Sequence, residues 1–130
     1  MFLNLLDNDE KHAFAELAEM MIKSDGLVIG REESALTALK AEMGIAGSPG
    51  GGRSVEELAG VFRSWRSKIA ALLELVGLGY TDTNFSVDEQ SLASNIARHM
   101  GLTAAELDQV EEWVREHVNL VRRALILMRD

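Results

Sequence analysis

Apolar residues recur at three- and four-residue spacing along most of the chain. Nowhere do they alternate with period two over a useful length, which predicts helices and no sheet. Asp7 with Glu10 three positions on has the form of a capping box, and Phe14, Leu17, Ala18, Met21 and Ile22 then share a helical face up to Ser24. A second helix carries Leu36, Leu39 and Met43 and stops at Gly44, as a left-handed C-cap would. Ser54 and Glu57 form another capping box. The helix they open turns Leu58, Val61, Phe62, Trp65, Ile69, Leu72, Leu73 and Val76 inward, with a bend near Ser64–Ser67. Ser86 and Glu89 open a fourth helix that ends at Met100-Gly101. Thr103 and Glu106 open a long fifth, with Leu107, Val110, Trp113/Val114, His117/Val118, Val121 and Leu125 on its buried stripe. The expected fold is all-α, about five helices in one compact bundle spanning residues 1–130.

One phrase is written twice, 57 positions apart. Asp25, Glu32, Ser34, Met43 and Gly44 recur as Asp82, Glu89, Ser91, Met100 and Gly101, while Val28/Phe85, Leu39/Ile96 and Ile45/Leu102 match in character. A repeat of this kind predicts a duplicated helix–loop–helix unit. Half one is read at 8–45, a Gly-rich linker at 44–53 and half two at 54–130, with 8–45 superposing on 66–102. If the halves pack about a pseudo-twofold axis, Asp25, Glu32, Asp82 and Glu89 converge at one end of the bundle. A pair from opposite halves then lies within about 8 Å, close enough for one hard divalent cation and its waters to bridge.

Composition narrows the chemistry. A chain of 130 residues is large enough for a real core in a single domain, and 47% hydrophobic with 26% charged residues reads as globular. The 13 basic and 21 acidic side chains leave a net charge of −8, which argues against binding a phosphate backbone and for a cation or a basic protein partner. No run approaches the ~20 apolar residues that span a bilayer, and the start, Met1-Phe-Leu-Asn-Leu-Leu-Asp7, lacks the basic region of a signal peptide. With no cysteine there is no disulfide or thiolate chemistry, and a cytoplasmic setting is expected.

The acidic loops carry the sharpest candidate chemistry. Asp25-Gly-x-Val-x-x-x-Glu32 has the order of the second half of an EF-hand loop. Extending that register backwards puts Met21 and Lys23, and in the second copy Leu78 and Tyr80, where carboxylates are needed, so neither loop is an EF-hand. Helix capping is the competing explanation: Glu89 has a capping partner in Ser86, whereas Ile29, where a cap for Glu32 belongs, cannot reciprocate. Gly47-Ser-Pro-Gly-Gly-Gly52-Arg53-Ser54 imitates a phosphate loop with Arg in place of Lys, but a helix precedes it and no strand is available, leaving a solvated linker as the ordinary reading. His12, His99 and His117 share no ligand spacing, and Ser34 and Ser91 have no histidine at a triad-like station, so no enzyme site is expected.

Ser24-Asp25-Gly26-Leu-Val28-x-x-x-Glu32 and Tyr80-Thr81-Asp82-x-x-Phe85-x-x-x-Glu89, each followed by a helix ending Met-Gly-Ile/Leu, resemble the TerB-like family of tellurite-resistance proteins. The N-terminal region of certain membrane-anchored DnaJ-type co-chaperones looks related. The resemblance runs from about Asn8 to Arg123. It implies an all-helical domain of two similar halves with an acidic metal site for Ca²⁺ or Mg²⁺, whose ligands map onto Asp25, Glu32, Asp82 and Glu89. It also implies a non-enzymatic binding or scaffolding role in a bacterial stress response, with peripheral membrane association through protein partners. The chain departs from the family pattern where Thr-Asp-Thr replaces the turn glycine in the second copy, and where Ile29-Gly30 stand before Glu32. Tellurite reduction itself would need a thiol or redox cofactor, and the chain has no cysteine. Two alternatives stay open: a metal-free protein–protein adaptor with an acidic surface, and more remotely a nucleotide-binding enzyme using Gly47–Ser54.

Overall fold

The computed structural model describes residues 2–23, 37–38, 40–44, 52–80 and 86–129. Its elements are a short 3₁₀ turn at Leu3–Leu5, α1 at Asn8–Lys23, α2 at Val55–Ala59, α3 at Trp65–Gly79, α4 at Val87–His99 and α5 at Ala104–Leu127. Residues 40–43 are also helical, and Lys40 reaches Glu19 of α1 at 3.6 Å. The fold is all-α, with no strand among the described residues. None of the described helices is long and apolar enough to cross a membrane.

Most helices start where a local signal dictates. Side chains at Ser54, Ser64, Ser86 and Thr103 each accept the backbone N–H three residues on, and the residue at that position returns a bond to the cap's own N–H. Asp7 and Glu10 form the same reciprocal pair at the head of α1. The cap at Ser64 and Ser67 corrects the sequence expectation of one bent helix from Ser54 to Val76. The chain leaves helix at Gly60 and re-enters at Trp65, so α2 and α3 are separate. The turn lets Leu58, Ala59 and Phe62 enter the core from a direction that one straight rod could not provide.

α3 is the central element, touching α1, α4, α5 and the 3₁₀ turn, while α2 packs on α4. Phe14, Leu17, Leu72, Leu75, Val76 and Ile96 are fully buried at their meeting point. Each contributes at most about 1.5–3 kcal/mol of transfer free energy relative to exposure.

The 57-residue interval persists in the helices. Asn8 advanced by 57 is Trp65, so α1 and α3 begin in register, each behind a capping pair (Asp7/Glu10, Ser64/Ser67). Seven of the eight buried positions of α1 are buried again in α3. Gly44 and Gly101 both take positive φ, +74° and +89°. At the second, the Gly101 N–H bonds Arg98 O at 3.0 Å and the Leu102 N–H bonds Ala97 O at 2.9 Å, the paired bonds of a Schellman stop.

The last helix departs from expectation. Leu107, Val110 and Val114 are buried, but Trp113, Val121 and Leu125, read from sequence as inward, are exposed. Helical period alone assigned them to a buried stripe, yet the bundle ends before the helix does. From Leu120 onward α5 projects as an overhang with Leu120, Leu125, Ile126, Leu127 and Met128 in solvent.

Candidate functional site

Of the four carboxylates singled out by the repeat, Glu89 falls among the described residues. Asp25, Glu32 and Asp82 lie outside them, as does the expected convergence of the two acidic loops. Glu89 occupies the first turn of α4. Its backbone N–H donates to Ser86 Oγ at 3.1 Å, and its Oε1 accepts the Ser86 N–H at 3.1 Å. Glu57 and Glu106 do the same for α2 and α5 while facing water or lying half-buried. Glu89 differs in being only 3% exposed. A capping box needs no such burial, and a buried carboxylate is costly unless its oxygens are well satisfied.

Glu10 shows how this bundle meets that cost. It is as buried as Glu89, and its Oε1 takes the Asp7 N–H at 2.9 Å while Oε2 takes the Arg63 N–H at 3.1 Å. One side chain thereby caps α1 and anchors the turn between α2 and α3. The Arg63 guanidinium lies above, 3.6 Å from Asp9 and 3.9 Å from Asp7.

Sequence reasoning missed a further buried acid, Glu111 of α5. It is nearly inaccessible, and its Oε1 has no hydrogen-bond partner among the described residues. The available signal was its position between Val110 and Val114 on the inward stripe. One turn on, Arg115 donates to the Tyr80 hydroxyl at 3.4 Å; its interaction with Tyr80 is the main cause that raises the guanidinium pKa, with smaller contributions from the charges of Glu111 and Glu112.

The remaining candidates have structural partners. His12 Nδ1 sits 2.8 Å from Asn8 O and His99 Nδ1 2.9 Å from Asn95 O, each one turn back on its own helix. His117 stacks on Trp113 with ring centroids 5.1 Å apart. Arg53, the cation of the imitation phosphate loop, is held by Glu16, and its Nε donates to that carboxylate at 3.0 Å. Ser54 is consumed as the cap of α2, and residues 47–51 lie outside the described set. Among the described residues no group of three or more His, Asp or Glu is placed to hold a metal ion.

Comparisons of the chain with protein-family models, with curated proteins and with solved structures find no match.

Proposed function

We propose that the chain is a non-enzymatic TerB-like module that binds a divalent cation, Ca²⁺ or Mg²⁺, weakly. Asp25, Glu32, Asp82 and Glu89 are its ligands, and it serves as an interaction part of a cytoplasmic bacterial stress-response assembly. The observation that carries the reading is the burial of Glu89 beyond what its cap requires, at one of the positions where the acidic phrase repeats. The shared register of α1 and α3 and the paired glycine stops support a duplicated unit, and the two acidic phrases recur at the same interval in the sequence. Hard carboxylate oxygens suit Ca²⁺ or Mg²⁺, and a net charge of −8 favours cation over anion. The capture of Arg53 by Glu16 removes the cation that a nucleotide-binding loop would use.

The test is a thermal melt with and without 5–10 mM (about) Ca²⁺ or Mg²⁺, run on the natural chain and on Asp25→Asn/Glu32→Gln/Asp82→Asn/Glu89→Gln. A rise in Tm in the natural chain that disappears in the quadruple variant supports the reading. Equal response, or none in either, overturns it. A metal-free adaptor is the second reading, favoured by the exposed apolar overhang of α5, and retained binding of a protein partner by the quadruple variant would support it.

A further inference from the structure

The exposed side of α5 carries a second helical stripe, distinct from the one that faces the core. Trp113, Glu116, Leu120, Arg123 and Leu127 follow one another at spacings of three, four, three and four, the spacing of a helix–helix seam. All five are exposed, Leu120 by 60% and Leu127 by 86%. The side chains of Glu116 and Arg123 make no hydrogen bond or ion pair among the described residues. Reversed end for end about Leu120, the stripe is complementary to itself. Trp113 faces Leu127, Glu116 faces Arg123, and Leu120 faces its own copy.

The charge of the whole helix has the same polarity. Glu106, Asp108, Glu111 and Glu112 fall in its first half against Arg115 alone, Glu116 opens the second half, and Arg122 and Arg123 follow with no further acid in the helix. The helix dipole does not account for this, because its influence fades beyond the terminal turns and the last turn of α5 contains no basic residue.

We propose that α5 docks antiparallel on α5 of a second copy of this chain, about a twofold axis at Leu120, with Glu116 of each copy paired to Arg123 of the other. Such a contact is isologous, so a self-complementary stripe is what it requires. The overhang alone is a strip about 12 Å long and about 10 Å wide, small beside the ~800 Å² per partner of a stable interface. The aromatic group next to it enlarges the contact: Trp113 lies edge-on to Phe2 at 5.6 Å and flat on His117, and offers Leu127 of the second copy an apolar anchor. The charge pattern also favours a second copy over an anionic lipid surface, since Glu112 and Glu116 lie within three turns of the arginines and would be repelled there.

Sedimentation equilibrium on the full chain at about 5–200 µM tests this, with circular dichroism confirming that each variant is folded. A concentration-dependent dimer is expected. Glu116→Arg and Arg123→Glu should each weaken dimerisation at least tenfold, and the double variant should restore it. A natural chain that stays monomeric throughout, or a dimer that neither reversal weakens, overturns the proposal. So does a monomer that co-sediments with phosphatidylserine vesicles, which would assign the overhang to lipid.

Discussion

Glu10 accepts the backbone N–H of Arg63 at 3.1 Å, across 53 residues of sequence, while its other oxygen caps α1. The contact ties the start of the first helix to the turn that separates α2 from α3, and the carboxylate making it is almost completely buried. Replacing Glu10 with Ala removes a cap, about 1 kcal/mol, and strands a partly buried N–H, about 1–3 kcal/mol. A loss of roughly 2–4 kcal/mol is expected in urea denaturation, against roughly 1 kcal/mol for Glu57→Ala at an exposed box. Equal losses at the two sites would mean that the Arg63 contact contributes nothing.

Glycines in α3 and after α4 should respond in opposite directions. A Cβ on Gly77 would meet nothing within 4 Å, and the residue lies inside a helix, where Ala is favoured by about 0.5–1 kcal/mol. Gly77→Ala should therefore raise Tm by a few degrees. Gly101 also has open space, but its φ of +89° penalises an L side chain by about 1–2 kcal/mol. Gly101→Ala should lower Tm, and Gly44→Ala should follow it, because the same stop recurs there at φ +74°. A stabilised Gly101→Ala variant would contradict the left-handed stop.

The Arg53–Glu16 pair should matter little, and its Arg53 side should not respond to ordinary pH. The hydrogen bond to Glu16 is the main cause that raises the Arg53 pKa above its ordinary value. A raised pKa stabilises the fold below the unfolded value and is lost only as pH rises through the folded value, so the Arg53 contribution is flat at all ordinary pH. With the Arg53 side chain 37% exposed, solvent limits the pair to about 1 kcal/mol or less. Arg53→Ala should cost no more than that, and less at 1 M salt. A larger loss would show that the pair holds residues 52–54 in place for another purpose.

What the sequence disclosed follows from how local each cause is. The heads of α1, α4 and α5 were legible because a capping box is written within four residues. The ends at Gly44 and Gly101 were legible because one residue type favours that φ. The break between α2 and α3 was not. Leu58, Phe62, Trp65 and Ile69 keep helical spacing straight through it, and Ser64 reads as a polar position on a helix face until Ser67 returns its bond. The overhang of α5 escaped for a different reason: periodicity shows which face of a helix is apolar, but not whether another element reaches it. The acids divide the same way. Asp25, Glu32, Asp82 and Glu89 stood out by repetition, whereas Glu111 was marked only by its place between Val110 and Val114 on the inward stripe, and its burial is completed by tertiary packing.

The last prediction separates a cap from a buried charge at Glu89. Its capping bonds, both 3.1 Å, match those at Glu57, which are 3.2 and 3.1 Å. If capping were its whole contribution, Glu89→Ala and Glu57→Ala would each cost about 1 kcal/mol in metal-free buffer. Burial changes the expectation, because truncating an inaccessible side chain also leaves a cavity and strips partners from enclosed groups, adding about 1–3 kcal/mol. Glu89→Ala should therefore lose roughly 2–4 kcal/mol in urea denaturation. Glu89→Gln retains an oxygen able to accept the Ser86 N–H, so it preserves the cap and most of the volume while removing the charge. It should fall between the natural chain and Glu89→Ala. A Glu89→Gln variant as unstable as Glu89→Ala would show that the charge, and not the cap or the packing, is what α4 depends on at its head.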